Sequence, residues 1–286
     1  MKKIDDIPVV VVGPGSQPIE EDVVLETPKS PGEMNVYSMP DLSVIEGLDE
    51  RENGMQLLYE TEKLLNTYKV GSKPDAQSLE NMSDIDLELI NQVLGNGEVS
   101  IVYNGDVHIQ IQESVLAGLW RIQHIAQDGQ VIKDLIEVAD VPSVIREAAF
   151  INTTMPVAAD RSELPEGVQN APPLIVEICE KVDAFKPGAE PHIINLSLLP
   201  QTEEDLVYIN EQLGVGPVTI LSRGYGNCRI TSTNTPNVWW VQYFNSDDTN
   251  ILNTIEISDV PAVACAAQED VEDSAERLHD ILEVYA

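Results

Sequence analysis

Apolar residues follow two different spacings along this chain, and each spacing occurs twice. In residues 57–65 and again in 175–182 they recur every three or four positions, which is typical of amphipathic helices. Four runs rich in β-branched residues follow in the first half, at residues 99–102, 107–111, 119–125 and 131–138. Because short polar turns separate these runs, the pattern predicts antiparallel strands that pair in succession.

The second half of the chain repeats the first. At an offset of 119 residues, residues 83–144 align without a gap to residues 202–263, and 21 of the 62 positions are identical. Chance does not produce such a match, so the sequence predicts two homologous modules. We expect an α+β fold of two tandem modules, each an antiparallel sheet of about four strands packed with helices. The first module spans residues 52–150, a proline-rich linker spans 151–171, and the second module spans 172–286.

Matching signals mark the ends of the predicted helices. Ser83 and Thr202 each stand three residues before an aspartate, close to the capping-box pattern that starts a helix. Gly95 and Gly214 follow the same helices, and glycine tolerates the left-handed backbone that ends a helix. The repeated Asp-Val-Pro, which begins at Asp140 in the first copy, predicts a third helix with aspartate as its cap.

Residues 1–51 lack these patterns. Six prolines interrupt the segment, and within residues 1–50 three basic residues stand against 11 acidic ones, a net charge of 3 − 11 = −8. This composition predicts an extended, largely disordered acidic arm. The alternative is that the valine run at residues 9–12 forms a short strand that adds to the edge of a sheet.

The two copies also predict which strand positions are buried. Trp120 and Trp239 occupy the same position and should lie in the core. The next position, on the opposite face of the strand, is Arg121 in the first copy and Trp240 in the second. Since arginine is rarely deep in a core, we expect Trp240 to be partly accessible. The alternative is that Trp240 packs under a helix or between the modules.

The second copy also has a turn that the first copy lacks, rich in glycine, arginine and tyrosine, at residues 223–229. Arginine and exposed aromatic residues are enriched at protein interfaces. We therefore predict a partner-binding patch on the second module. It consists of Arg223, Tyr225, Arg229, Trp240 and Gln242.

The charge of the chain excludes several classes of partner. Sixteen basic residues stand against 49 acidic ones, which gives 16 − 49 = −33. Nucleic acids and anionic membranes bind basic surfaces, so neither is an expected partner. No apolar run approaches the about 20 residues of a membrane span, and the first residues lack a secretory core. Three widely spaced cysteines are typical of reduced thiols, and we expect a cytoplasmic protein.

No arrangement of residues in the sequence supports catalysis. The four histidines form no metal-ligand pair, and the Gly-Pro-Gly segment near residue 14 lacks the lysine of a phosphate-binding loop. Cys228 beside Arg229 could be a nucleophile or redox thiol, but its strand position predicts burial. We expect no catalytic residue, no cofactor and no metal site.

The second copy resembles the hydrogenase expression/formation proteins of the HupH/HyaF/HoxQ type. The segments that carry the resemblance are GYGNCRI at residues 224–230, PNVWWVQYFN at 236–245, NTIE at 253–256, DVP at 259–261 and ED…DSA…RL at 269–278. VVGPGSQ at residues 11–17 looks like the N-terminal segment of the family. The resemblance is specific in the C-terminal 70 residues or so and looser in the first copy.

This resemblance implies a non-catalytic maturation chaperone for an uptake [NiFe] hydrogenase. Its expected partners are the precursor of the iron–sulfur small subunit, before export by the twin-arginine route, and other hydrogenase maturation proteins. Two alternatives remain at this point: a thiol-redox or iron–sulfur carrier that uses Cys228, or a sensor that binds a small molecule between the modules.

Overall fold

The computed structural model describes residues 51–157, 164–224 and 227–285. The predicted arm, apart from Arg51, and part of the predicted linker lie outside these ranges.

Six helices and ten strands make up the described part of the chain. The helices are α1 (Glu52–Thr67), α2 (Asp84–Leu94), α3 (Ser143–Ala148), α4 (Ala171–Ala184), α5 (Glu203–Leu213) and α6 (Gln268–Tyr285). The strands of the first half are β1 (Asp75–Ser78), β2 (Val99–Asn104), β3 (His108–Glu113), β4 (Leu119–Ile125) and β5 (Val131–Val138). Those of the second half are β6 (His192–Asn195), β7 (Val218–Ser222), β8 (Asn227–Ser232), β9 (Val238–Phe244) and β10 (Asn250–Ile257).

All ten strands form one antiparallel sheet in the order β1-β5-β4-β3-β2-β7-β8-β9-β10-β6. The α+β class is therefore correct, but the expectation of about four strands in each of two sheets is wrong. Two features turn the expected pair of four-stranded sheets into one ten-stranded sheet. The short strands β1 and β6 add to the outer edges, and the edge strands β2 and β7 pair with each other. Their pairing satisfies backbone groups that two separate sheets would leave unpaired along exposed edges.

The pairing of β2 with β7 is symmetric with respect to the repeat. Ile101 lies opposite Ile220, and 220 − 101 = 119, which is the offset of the sequence repeat. Val99 pairs with Ser222 and Tyr103 pairs with Val218, so the ladder extends equally to both sides of this central pair. The two halves thus meet around a pseudo-twofold axis, as the identical edges of a symmetric dimer would.

Most of the helices cover the two ends of the sheet on one side, which we name the helix face. Helices α1, α2 and α6 pack over β4 and β5, and α4 and α5 pack over β9, β10 and β6. Helix α6 belongs to the second half of the sequence but lies against α1 in the first half, where Lys69 pairs with Glu272 at 2.9 Å. The two halves therefore share a helical layer as well as a sheet.

The opposite side of the sheet, which we name the tryptophan face, carries the central core. Trp120 and Trp239 are both 0% exposed there, which confirms the predicted burial. The two halves also meet on this face. Phe150, just after α3, contacts the Trp239 ring edge-on with 5.0 Å between ring centroids. Arg146 of α3 bridges two equivalent aspartates, Asp140 at 2.5 Å and Asp259 at 3.5 Å.

The predicted caps are confirmed at both equivalent helices. The Ser83 and Thr202 side chains accept hydrogen bonds from the backbone N–H groups of Asp86 and Asp205. Each aspartate also holds the preceding helix: Asp86 accepts from Gly54 N at 2.7 Å, and Asp205 accepts from three N–H groups at the start of α4. Burial by itself would raise the pKa of both carboxyl groups, but the hydrogen bonds that they accept outweigh it and lower the pKa, so the caps remain charged at neutral pH.

The third helix begins differently from the prediction. Helix α3 starts at Ser143, and Glu137 rather than Asp140 accepts from the Ser143 N–H, at 2.6 Å. Asp140 instead accepts from the Tyr68 hydroxyl at 2.8 Å and pairs with Arg146. In the second half only a 3₁₀ turn, Ala262–Ala264, occupies the equivalent place. The cap prediction is wrong because Asp140 is held by Tyr68, a partner 72 residues away that the local sequence does not reveal.

We predict that the centre of the shared ladder is essential for stability. Ile220→Ala should lower the free energy of unfolding by about 2–5 kcal/mol, because it opens a cavity at a side chain that is 0% exposed. Ile251→Ala is the matched control: Ile251 is 61% exposed, so its loss should change the free energy by about 0.5 kcal/mol or less. Urea unfolding followed by tryptophan fluorescence measures both, and equal losses would contradict the prediction.

Candidate functional site

Trp240 is buried, and the expectation that it is accessible is wrong. Its side chain is 7% exposed and packs on the helix face with residues of α4 and α5, as the alternative prediction had it. The indole Nε1 donates to Asn253 Oδ1 on β10. The inference failed because Arg121 implied an open face, whereas the arginine is accommodated there by an ion pair with Asp134, at 2.7 Å.

The other residues of the predicted patch fall into separate places. Arg229 and Gln242 are cross-strand neighbours on the helix face, where Gln242 is buried and Arg229 is half-buried over the Phe244 ring, 5.9 Å from its centroid. Arg223 is exposed beyond the end of β7. Tyr225 lies outside the described residues. The structure thus brings Arg229 and Gln242 together, while their role in partner binding stays a prediction.

A polar cleft opens on the helix face of the first half instead. It has a volume of about 260 Å³ and lies between the C-terminal end of α2 and strands β2, β3 and β4. Most of its lining is polar: Asn91, Asn96, Ser100, Gln110, Gln112, Ser114, Arg121 and Gln123. Sequence reasoning missed this site, although the alternating glutamines 110 and 112, with Gln123 in the next strand, were a signal for it.

Internal hydrogen bonds hold the cleft side chains in fixed positions. Arg121 donates to both carboxylate oxygens of Asp134, at 3.0 and 2.7 Å, and also to Asn91 at the end of α2. Gln112 Nε2 lies within 3.1 Å of three backbone carbonyls, and its Oε1 accepts from the Ser100 hydroxyl at 2.6 Å. The cleft is therefore preorganised, because its side chains are already ordered before anything binds.

The equivalent space in the second half is filled. Trp240 stands at the position of Arg121, and its partner Asn253 stands at the position of Asp134, since both pairs differ by 119 residues. Val215 replaces Asn96 in the same way. One copy thus has an ion pair where the other has an indole with an amide partner. The cleft with polar walls described above lies in the first half.

The three cysteines are poorly suited to nucleophilic or redox chemistry. Cys228 is 3% exposed, and burial, together with the nearby Glu256, raises the pKa of its thiol to about 12. Burial also raises the pKa of Cys265 to about 12 and that of Cys179 above its ordinary value. Thiols in this state are protonated at neutral pH and react slowly. Within the described ranges, no three or more metal-ligating side chains come together.

Among the described helices, none is long and apolar enough to cross a membrane.

Comparison with known proteins identifies the family. One protein-family model matches this chain twice, at residues 52–150 and 168–285. The family is described as HupH hydrogenase expression protein, C-terminal conserved region. The chain belongs to the HupH family of hydrogenase expression/formation proteins. The predicted family is thereby confirmed.

Two relatives within the family match along nearly their whole length. The chain is 46% identical to the hydrogenase expression/formation protein HupQ of Azotobacter chroococcum, over 95% of each chain. It is 30% identical to the hydrogenase-1 operon protein HyaF of Escherichia coli, over 95% of this chain and 94% of the other. A solved structure, the hydrogenase expression protein HupH from Thiobacillus denitrificans, is 31% identical; the match covers 38% of this chain and 92% of that one, with a TM-score of 0.36.

We predict that Trp240 of this HupH-family protein acts as a core residue. Trp240→Ala should lower the free energy of unfolding by about 3–5 kcal/mol, because a large side chain leaves the core under α4 and α5. Trp240→Phe keeps most of the apolar bulk and loses the hydrogen bond to Asn253 and part of the ring, so it should cost less, about 1–2 kcal/mol. Chemical denaturation measures both. A Trp240→Ala variant as stable as the wild type would instead support the prediction that the Trp240 side chain is accessible.

A second prediction concerns Glu113, the last residue of β3, which is 8% exposed. Burial, and the nearby charges of Glu98 and Asp270, raise its pKa to about 7 from an ordinary value of 4.5. The folded protein therefore binds a proton that the unfolded chain releases, and this stabilisation is full below pH 4.5 and is lost as the pH rises through about 7.

Glu113→Gln removes this titration and keeps an oxygen that can accept from the Gly118 N–H. Between pH 4.5 and pH 8, the variant should gain about 3 kcal/mol of unfolding free energy relative to the wild type. Denaturant unfolding at several pH values measures the difference. A difference that stays constant with pH would show that Glu113 titrates normally.

Proposed function

We propose that this protein is a non-catalytic assembly factor for an uptake [NiFe] hydrogenase that binds the precursor of the iron–sulfur small subunit before export. The observation that carries the proposal is membership of a family whose relatives, matched over nearly their full length, are named hydrogenase expression/formation proteins. Other hydrogenase maturation proteins are its further partners, and it acts in the cytoplasm.

The chemistry of the described residues supports a binding role. The three thiols have raised pKa values, and Cys228 is buried, which disfavours a redox or iron–sulfur carrier that works through it. Strands β2 and β7 join the two halves by direct hydrogen bonds. This pairing leaves no gap between the two strands and disfavours a sensor whose ligand lies between the halves. A preorganised polar cleft and a strongly acidic chain remain, and both are suited to holding a partner protein.

Affinity purification tests this proposal in cells that express the hydrogenase. We expect the tagged protein to co-purify with the small-subunit precursor that still carries its signal peptide, and cells without the protein to lose most hydrogenase activity. A variant with all three cysteines replaced by alanine should restore that activity. Failure to recover the precursor would contradict the proposal, and a cysteine-free variant that folds but does not restore activity would favour the redox carrier.

A further inference from the structure

The outer side of β6, at one end of the sheet, is apolar and exposed. Within the described residues β6 pairs with β10 only, so its other side presents unpaired backbone groups. Ile193 on this strand is 52% exposed, and Leu198 and Leu199, which follow the strand, are 81% and 38% exposed. The Ser197 hydroxyl accepts from the Asn253 N–H at 2.8 Å, which holds the chain after β6 alongside β10. We name the free side of β6, together with these three exposed side chains, the apolar edge.

The opposite end of the sheet, formed by β1 in the first half, is polar instead. Ile193 lies opposite Glu256 and Ala76 lies opposite Glu137, and 256 − 137 = 119, so Ile193 and Ala76 are equivalent. Strand β1 has the sequence Asp-Ala-Gln-Ser. Charged and polar side chains keep an edge strand from pairing with other chains, whereas an exposed apolar edge favours such pairing. Of the two ends, the apolar edge is therefore the one suited to accept a further strand.

The part of the chain before Arg51 contains a sequence suited to this edge. Residues 9–12 are four consecutive valines, and β-branched side chains favour extended backbone that packs on a sheet. We name these residues the valine segment. Its four residues match the length of β6, His192–Asn195. Another apolar stretch, residues 23–25, is shorter and lies between two acidic residues, so it is less suited to an apolar edge.

The charge of the valine segment does not oppose its binding to an acidic protein. Residues 1–19 carry two lysines and two aspartates, a net charge of 2 − 2 = 0. Residues 20–50 carry one basic and nine acidic residues, a net charge of 1 − 9 = −8. The acidic charge thus lies in the link between the valine segment and α1, where repulsion between like charges favours an extended chain.

The link is long enough to reach the apolar edge from the start of α1. That start is held on the first half, where the Gly54 N–H donates to Asp86 at 2.7 Å and Arg51 pairs with Glu88 at 3.0 Å. The outer strands of a ten-stranded sheet are about 43 Å apart at a spacing of about 4.8 Å. From Val12 to Arg51 the chain advances 51 − 12 = 39 residues. A coil of that length has a root-mean-square end-to-end distance of about 35 Å and a maximum of about 130 Å. Because the typical distance is close to the span, the effective concentration of the valine segment at the edge is high.

We propose that residues 9–12 of this chain add to the sheet as a further strand beside β6. The backbone groups of the valine segment pair with the free side of β6, and its alternate side chains cover Ile193 and the neighbouring apolar residues. The protein thereby closes an edge that would otherwise bind another chain. This inference does not depend on the proposed function, because it concerns a contact within one molecule.

Photo-crosslinking of the full-length protein identifies what covers the apolar edge. A crosslinking phenylalanine analogue in place of Ile193 should capture a peptide that contains residues 9–12, and the product should have the mass of one chain. The matched control is the same analogue in place of Ala76, the equivalent residue of β1, which is also exposed and should capture no such peptide.

Other crosslinking products would overturn the proposal. Capture of a second copy of the chain or of another protein at position 193 would show a different occupant. Capture of the valine segment at position 76 would place it on the wrong edge, and no capture at position 193 would show that the edge is free.

Hydrogen exchange tests the backbone pairing separately. In the full-length protein, Val10→Asp together with Val11→Asp should speed exchange of the β6 amide hydrogens that face away from β10 about tenfold or more, because charged side chains oppose docking on an apolar edge. The matched control makes the same changes at Val23 and Val24 and should alter this exchange less than twofold. Thermal melting verifies that each variant folds. Unchanged exchange in the Val10 and Val11 variant, or equal acceleration by both pairs of changes, contradicts the proposal.

Discussion

The antiparallel pairing of β2 with β7 is the interaction on which the rest of this structure depends. Each strand is an edge of its own half, and an exposed edge presents unpaired backbone groups that invite pairing with another chain. By pairing with each other around Ile101 and Ile220, the two edges join ten strands into one sheet. The pseudo-twofold relation of the two helical layers follows from this single ladder.

The two faces of the sheet have different roles because of that pairing. On the tryptophan face, α3 lies close enough to the second half for Phe150 to contact Trp239 and for Arg146 to bridge Asp140 and Asp259. These contacts join the two halves through apolar packing and ion pairs. On the helix face the helices stay at the two ends, and the strands between them carry mostly polar side chains.

Duplication allowed the two halves to specialise at one position. Arg121 with Asp134 in the first half and Trp240 with Asn253 in the second occupy the same places in the repeat. In each pair the polar group of the first side chain has a hydrogen-bonding partner on the next strand, so neither is left unsatisfied. The ion pair leaves room for a cleft, and the indole fills the same space. A single scaffold thus provides one half with a polar cleft and the other with a larger apolar core.

The sequence by itself determined the α+β class, the repeat, the capping boxes at Ser83 and Thr202, the burial of Trp120 and Trp239, and the family. These features depend on local spacing or on comparison of the two copies. Only the tertiary structure decided the single sheet, the crossing of α6 to the first half and the burial of Trp240. Strand parity states which side chains share a face, but not which face a helix from elsewhere in the chain will cover. Edge pairing and helix docking join residues far apart in sequence, and neither leaves a periodic signal in the chain.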